Sequence, residues 1–445
     1  MRAPVRESLR RALLVGVWAL LVAAEATAYE QVPGAAQARP VLLRGGALYT
    51  VAQGVLPATD LLFDDGKIVA IGPGLSAPAG AEVLDLAGAR VYPGLIAAAT
   101  TLGLVEIDAV RATRDTDETG DLNPEVVART AYNPDSELIP TVRSAGITTV
   151  QVAPAGQLVR GRSSILHLDG WTVEDAGVEA VGGLFLSWPP SAVVHSSFMP
   201  VPAEEQEKEM KEQRRRLRDS FDAARAYDRA RDAGEPLEID QRWEAMRPLW
   251  DGSLPVYVEA DDARQILEAI DFADDYGLAM VLVGGAEAHR VTDLLAARDI
   301  PVLLDTPNRL PYRDEDGVDA QFRQPALLAA AGVRFALAPI GASWGVRNLA
   351  LEGAGLAIQG GLAPEAGLRA VTLTPAEILG IADREGSLEV GKDATLIVSS
   401  GDVTDTLGHR VTHMFIQGRP VDLDNKQRAL YRKYAEKVRR AAGQR

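Results

Sequence analysis

The sequence predicts a mixed α/β fold, in which a TIM-like (β/α)8 barrel carries a small β-sandwich domain formed from both chain ends. Between residues 91 and 385, short apolar runs bounded by Gly or Pro alternate with helical stretches. This pattern is typical of parallel strands that are buried on both faces. Shorter strand-like segments with Gly turns occupy residues 41–90 and 386–424, and we expect them to form the second domain. A doubly wound open sheet is the alternative, but a G-x-G-x-x-G motif follows none of the apolar runs.

Seven of the apolar runs are the predicted barrel strands, and the eighth strand is expected within residues 160–180. The seven runs span residues 91–98, 146–154, 183–188, 254–260, 277–285, 301–307 and 332–339. The length of the region that contains them suits an eight-stranded barrel with insertions.

Two helical segments fall outside this repeating pattern. The first is a charged insertion over residues 203–250. Its apolar positions recur at helical spacing and are Met210, Leu217, Phe221 and Ala224. They indicate a solvated helix packed on the barrel wall, with a partner-binding arm as the alternative. The second segment is a basic C-terminal helix over residues 425–445, which we expect to dock on the acidic body and not in a membrane.

Composition excludes several classes of protein. The 445 residues are 47% hydrophobic and 24% charged, which is typical of a globular chain and excludes a disordered one. The net charge of −16 argues against nucleic-acid binding, which requires a basic surface. The absence of Cys excludes disulfides, zinc–thiolate sites and a cysteine nucleophile. The five histidines are His167, His195, His289, His409 and His413.

Residues 1–28 have the three-part pattern of a secretory signal peptide. Four Arg residues precede an apolar run over residues 12–24, and Ala26-Thr27-Ala28 forms a small-x-small cleavage site before Tyr29. An uncleaved membrane anchor is the alternative, but it needs about 20 apolar residues. We therefore expect a periplasmic or extracellular mature protein without a membrane span.

Three segments carry a resemblance to a known family. They are VYPGLIAAATTLGL at residues 91–104, GITTVQVAP at 146–154 and GLAPEAGLRAVTLTPAEILGIADREGSLEVGKDATLIV at 361–398. Together they resemble the amidohydrolase superfamily, in particular its imidazolonepropionase-like and dihydroorotase-like branches, over about residues 41–421. The resemblance implies hydrolysis of carbon–nitrogen bonds by one or two divalent metals such as zinc, two ligands of which are the histidines of a P-G-[LF]-I-D-x-H-x-H strand.

The positions that the resemblance assigns to metal ligands carry other residues. The Asp of the first strand falls on Ala97, and the two histidines fall on Ala99 and Thr101. The Asp of the last strand falls near Ile340 or Gly341, and Glu259 alone retains a donor. Alanine cannot coordinate a metal, and a Thr hydroxyl is a poor zinc ligand. We therefore expect no bound cofactor in this chain.

Polar residues after the predicted strands are the candidate binding residues. They are Glu259, Asp305, Arg309, Arg347 and His195. Glu259 and Asp305 are interpreted as a carboxylate pair at adjacent strand ends, suited to metal-free acid–base chemistry. As alternatives, Arg309 and Arg347 tie loops to nearby carboxylates as structural pairs, and Asp261 and Asp262 cap a helix that begins near Ala263.

Three functional hypotheses follow. The first is a pseudoenzyme of the amidohydrolase fold, which binds a small ligand or forms a homo- or hetero-oligomer with an intact homologue. The second is an active hydrolase of an amide, lactam or dipeptide-like bond that uses shifted metal ligands or carboxylates alone. The third is a structural envelope protein, which the strong barrel pattern disfavours.

Overall fold

A computed structural model describes residues 32–193, 201–405 and 407–442. The predicted signal peptide and His195 lie outside the described residues.

The predicted small domain is a sheet separate from the barrel, and its N-terminal strands are β1 (Val41–Tyr49), β2 (Val55–Asp64), β3 (Lys67–Gly72), β4 (Glu82–Asp85) and β5 (Arg90–Pro93). At the turn between β2 and β3, Asp65 and Gly66 have φ angles of +46° and +74°. Two successive positive φ values are typical of a tight hairpin turn, as the Asp-Asp-Gly sequence predicts.

Eight strands form the barrel sheet, in the order in which they occur along the chain. They are β6 (Leu95–Thr100), β7 (Ile147–Val152), β8 (Val159–His167), β9 (Gly177–Ser187), β10 (Val256–Ala260), β11 (Met280–Gly284), β12 (Val302–Asp305) and β13 (Phe335–Ala338). The barrel fold is confirmed, and the eighth strand, β8, overlaps the predicted interval of residues 160–180 and begins one residue before it. The run over residues 91–98 divides at Gly94, since β5 belongs to the other sheet.

The expectation that all barrel strands are parallel is wrong for β8. This strand is antiparallel to both β7 and β9, while β9 to β13 are parallel. The connections before and after β8 span only residues 153–158 and 168–176. A parallel neighbour needs a crossover of a dozen or more residues, so such short connections reverse the strand direction.

The two edge strands of the barrel, β6 and β13, are joined through the backbone of a third segment. The Ile96 amide donates to the Val371 carbonyl at 3.0 Å, and the Leu337 amide donates to the Ala370 carbonyl at 2.9 Å. This bridge nearly closes the barrel. Inside, Phe185 and Tyr257 stack with ring centroids 4.8 Å apart, within an apolar core that fills the barrel.

The second sheet is completed by the C-terminal part of the chain, as predicted. Its last strands are β14 (Leu396–Ser399), β15 (Val411–Ile416) and β16 (Arg419–Pro420). Strand β14 pairs with β5, so the sheet order is β16-β15-β14-β5-β1-β2-β3, with β4 beside β1. Phe63 and Phe415 pack edge to face at 4.9 Å and join the two ends of the chain in one core.

Eleven α-helices occur within the described residues. They are α1 (Ile139–Arg143), α2 (Val173–Ala176), α3 (Ala203–Asp232), α4 (Gln241–Met246), α5 (Ala263–Tyr276), α6 (Thr292–Ala297), α7 (Ala320–Ala330), α8 (Leu356–Gln359), α9 (Pro364–Arg369), α10 (Leu373–Ile378) and α11 (Lys426–Ala442). None of them combines the length and apolar character that a membrane span requires.

The helices of the insertion and of the C-terminus differ in how they pack. Helix α3 buries Leu217, Phe221 and Ala224, and the Phe221 ring packs against Phe272 at 4.9 Å. Its apolar stripe therefore lies on the barrel wall. Helix α11 buries none of its described residues, and it meets the body through a 2.6 Å hydrogen bond between the side chains of Gln427 and Thr141.

Candidate functional site

The mouth of the barrel is the face at which the parallel strands end, and it is where sites form in barrels of this kind. At this face the end of β6 is bound to the loop that follows β13. The Gly341 amide donates to the Ala99 carbonyl at 2.8 Å, and the Thr101 amide donates to the Ala342 carbonyl at 2.9 Å. The Thr101 hydroxyl also donates to the Gly341 carbonyl at 2.9 Å. Both Ala99 and Thr101 are buried.

These residues do not fit the metal centre that the resemblance implies. Methyl side chains stand at Ala97 and Ala99, and the hydroxyl of Thr101 is occupied by a carbonyl oxygen. At another strand end of the mouth, β11 ends in Gly284, which has no donor side chain. His289 lies in a short 3-10 turn after this strand, and its Nδ1 atom is 3.3 Å from the Gln324 Oε1 atom. The described ranges contain no group of three or more His, Asp or Glu side chains arranged to hold a metal ion.

Three carboxylates gather at the mouth instead. Glu259 lies near the end of β10, Asp261 directly follows that strand, and Asp305 ends β12. The prediction that Glu259 and Asp305 end adjacent strands is wrong, because β11 lies between β10 and β12. Strand β11 ends in Gly284, where an added Cβ would stand only 2.7 Å from an Asp261 carboxylate oxygen. Because Gly284 has no side chain, the Asp261 carboxylate can lie between the ends of β10 and β12.

Two arginines neutralise part of this charge. Arg160, on β8, forms an ion pair with Glu259 and donates a 2.6 Å hydrogen bond to the Ser187 hydroxyl. Arg309 donates to Asp305 at 2.8 Å. Arg160 is not among the predicted site residues, because only the antiparallel direction of β8 brings residue 160 to the mouth and a parallel strand was expected there. We call Arg160, Glu259, Asp261, Asp305 and Arg309 the mouth cluster.

Burial and mutual repulsion shift the ionisation of two of these carboxylates. Burial raises the pKa of Asp305, Arg309 opposes the shift, and the charges of Asp261 and Glu259 reinforce it. Burial likewise raises the pKa of Asp261, against a hydrogen bond from the Ala286 amide at 3.1 Å. The cluster therefore contains carboxyl groups that hold a proton more readily than exposed ones do.

A fourth carboxylate at the mouth has a structural role. Glu287 follows β11 and is fully buried. Arg313 binds it through two nitrogen atoms and lowers its pKa to about 2. Glu287 also accepts a 2.9 Å hydrogen bond from the Ala263 amide at the start of α5. Asp262 caps the same helix by accepting from the Arg264 and Gln265 amides, as predicted.

The other predicted residues do not join the mouth cluster in the described structure. The Arg347 guanidinium stacks on the Trp344 ring at 4.3 Å and donates to the Trp344 carbonyl at 2.5 Å, both within its own 3-10 turn. His195 lies outside the described residues.

His167 is buried at the other end of the barrel, since it ends the antiparallel β8 and pairs with residue 149 near the start of β7. Its ring contacts Glu385 at 2.5 Å, and the same carboxylate accepts from Thr149 at 2.8 Å.

Comparison with known proteins supports one family. Residues 303–421 match the model of the amidohydrolase family. The dihydroorotase of Geobacter sulfurreducens is 31% identical over 150 residues, which are 32% of this chain and 35% of that enzyme. The dihydroorotase of Geotalea daltonii is 45% identical over 56 residues, or 13% of each chain. The matched segments thus span about a third or less of these curated relatives.

A solved structure extends the similarity to most of the chain. An amidohydrolase from Thermotoga maritima is 26% identical and superposes with a TM-score of 0.75, over 86% of this chain and 99% of that one. The matching family model, the dihydroorotase relatives and this superposition agree with the barrel and its composite sheet. The chain belongs to the amidohydrolase superfamily.

Proposed function

We propose that this protein binds a small ligand at the mouth cluster and does not carry out the metal-dependent hydrolysis of its superfamily. The observation that carries this proposal is the end of β6. The two histidine ligand positions of the resemblance hold Ala99 and Thr101, and hydrogen bonds tie this strand end to the loop after β13. A catalytic zinc site requires three protein ligands and an open position for water.

The charge of the mouth cluster indicates the chemistry of the ligand. Glu259, Asp261 and Asp305 supply three acidic groups, against the two guanidinium groups of Arg160 and Arg309. The side chains of Glu259 and Asp305 remain 34% and 29% exposed, so a ligand can reach them. A small molecule with an ammonium group and a carboxylate, such as a dipeptide, complements both signs of charge.

Calorimetry with glycylglycine tests this proposal. We expect the protein to bind glycylglycine, and to bind its N-acetylated form at least about tenfold more weakly because the ammonium group is lost. Asp305→Asn should weaken glycylglycine binding, while Asp271→Asn, on the exposed face of α5, should not. Equal affinity for both compounds, or no effect of Asp305→Asn, would contradict the assigned site.

A second candidate function is hydrolysis by the carboxylates alone. It is favoured by the raised pKa values of Asp261 and Asp305, since a protonated carboxyl can act as a general acid beside an ionised one. The test is hydrolysis of dipeptides and lactams in the presence of a chelator. If turnover persists in chelator and is lost in Asp305→Asn, the result would support hydrolysis by the carboxylates in place of ligand binding alone.

The pseudoenzyme hypothesis also includes a role as the partner subunit of an intact homologue. Helix α11 has a net positive charge and buries none of its described residues, so it is available to a second protein. We propose a homo- or hetero-oligomer with an intact amidohydrolase. Co-purification of the tagged protein from its native cells would support the hetero-oligomer if a metal-bearing homologue is recovered and is lost when residues 426–445 are deleted.

We also propose that the protein is exported. The support is the Arg-rich, apolar and small-residue pattern of residues 1–28. N-terminal sequencing of the protein from its native cells should begin at Tyr29. A sequence that begins at Met1, in the cytoplasmic fraction, would contradict export.

A further inference from the structure

Helix α11 has an apolar face that its own chain leaves uncovered. Leu430, Tyr434 and Val438 follow one another at intervals of four residues, and Tyr431 lies beside them, so the four side chains share one face of the helix. In this order they are 41%, 55%, 67% and 75% exposed. A continuous apolar face on the surface of a folded chain marks a site of interaction.

The opposite face of α11 is strongly basic. The helix contains seven Lys and Arg residues and one Glu, a net charge of +6, and helical periodicity places all of them on the half opposite the apolar face. Because the whole chain carries −16, the rest of it carries −22. Helix α11 therefore fits a partner that offers apolar surface with acidic groups beside it.

A groove of this character lies on the charged insertion, between α3, α4 and the loop of residues 233–240 that joins them. It has a volume of about 620 Å³, and its lining includes Tyr227, Leu237, Glu238, Ile239, Asp240 and Trp243. Ile239 and Leu237 are 66% and 37% exposed, so they offer apolar surface to a partner. We call this lining the insertion groove.

The charge of the insertion groove complements that of α11. Glu125, Glu238 and Asp240 contribute three carboxylates to the groove. Arg242 contributes one guanidinium, which is paired with Asp240 at 2.7 Å. The groove therefore keeps a net negative charge beside its exposed apolar side chains. Apolar surface and charge both match those of the helix.

We infer that α11 of one copy of the chain binds in the insertion groove of a second copy, and that the exchange is reciprocal in a two-fold dimer. Helix α11 does not occupy the groove of its own chain, because it buries none of its described residues. Reciprocal exchange uses both surfaces of each copy and closes the assembly, as two-fold symmetry does. The inference specifies the contacts of the homo-oligomer proposed above and rests on that proposal.

Sedimentation velocity of the purified protein over about 1–100 µM tests the dimer. We expect a concentration-dependent dimer that high salt weakens, because the charges at the rim of the groove are then screened. Ile239→Ser in the groove, and Tyr434→Ser with Val438→Ser in the helix, should each raise the dimer dissociation constant at least about tenfold. Val318→Ser is the matched control, since Val318 is 85% exposed and belongs to neither surface.

Mixing the groove variant with the helix variant identifies the surfaces that pair. In each variant alone both contacts are damaged, but a mixed dimer keeps one contact, between the intact helix of one copy and the intact groove of the other. The mixture should therefore associate more tightly than either variant alone.

Two results would overturn the inference. The first is a dimer that Ile239→Ser leaves unchanged, since α11 would then pair with a different surface. The second is a protein that stays monomeric at every concentration, including one that binds phosphatidylglycerol vesicles through α11 instead. Recovery of a homologue through residues 426–445 would still support the hetero-oligomer in that case, and glycylglycine binding would still support the mouth cluster, so these proposals fail separately.

Discussion

The Thr101 hydroxyl donates a hydrogen bond of 2.9 Å to the Gly341 carbonyl oxygen and so joins the first barrel strand to the loop after the last one. A side chain at position 101 that pointed to a metal could not make this contact. The same strand end also accepts from the Gly341 amide through the Ala99 carbonyl at 2.8 Å. At this point of the barrel mouth, hydrogen bonds join the end of β6 to the loop after β13, where the resemblance implies metal ligands.

Replacing Thr101 by Val tests this connection. The variant keeps the shape of the side chain but leaves the Gly341 carbonyl without its donor, so we expect a loss of about 1–2 kcal/mol in the free energy of unfolding. Thr130→Val is the matched control, because the Thr130 hydroxyl also donates to a carbonyl but is exposed. Urea unfolding measures both variants. Equal effects would show that the Thr101 contact adds nothing to stability.

Glu287→Gln should make stability less dependent on pH. The folded pKa of Glu287, about 2, lies below its unfolded value, so the ionised carboxylate stabilises the fold above pH ~4.3 and this contribution is lost as the pH falls towards 2. We expect a loss of about 2 kcal/mol at pH 7 and a smaller one at pH 3. Glu315→Gln, at an exposed neighbouring position, is the control. A loss of the same size at both pH values would contradict the ion pair with Arg313.

Asp305→Asn should have the opposite effect. Because the pKa of Asp305 is raised in the folded protein, its ionised form opposes folding once the pH exceeds the unfolded pKa of ~3.9. We expect the variant to gain up to about 1 kcal/mol at pH 7 and nothing at pH 3. Asp314→Asn, at an exposed position, provides the comparison. Destabilisation at pH 7 would mean that the bond to Arg309 outweighs burial of the charge.

Tyr92→Phe should leave the protein about as stable as before, because it removes a buried hydroxyl that has no acceptor among the described residues, although the Arg90 guanidinium lies beside it. The comparison is Tyr257→Phe, which removes a buried hydroxyl that donates to the Ile378 carbonyl at 3.4 Å. We expect that variant to lose about 1 kcal/mol. Thermal unfolding distinguishes them, and a loss in Tyr92→Phe as large as in Tyr257→Phe would contradict this expectation and show that the Arg90 guanidinium or ordered water stabilises the Tyr92 hydroxyl.

The fold was predictable because its signals are local. Apolar runs such as residues 277–285 and 301–307 have the length and boundaries of buried strands, and β11 and β12 lie within them. Strand β8 was harder to recognise because its direction depends on the short connections beside it. The spacing of apolar residues also identified the buried side of α3 correctly at Leu217 and Phe221.

The site was only partly predictable because its contacts join distant segments. Glu259, Asp305 and Arg309 were found from their positions after strands, and they do lie in one cluster. Arg160 reaches that cluster from 99 residues away in the chain, across an antiparallel strand. The burial of Glu287 and the pairing of His167 with Glu385 depend in the same way on tertiary contacts. Neither has a signal in local sequence, although the Glu385 loop belongs to the C-terminal motif.

The metal content of the purified protein tests the central claim most directly. The protein should be produced with zinc and manganese supplied, dialysed against metal-free buffer and analysed by inductively coupled plasma mass spectrometry. Because Ala99 and Thr101 stand at the two histidine ligand positions, we predict far less than one equivalent of either metal. One tightly bound equivalent per chain, lost in Glu259→Gln or Asp305→Asn, would contradict the account and establish a metal centre built from the mouth cluster.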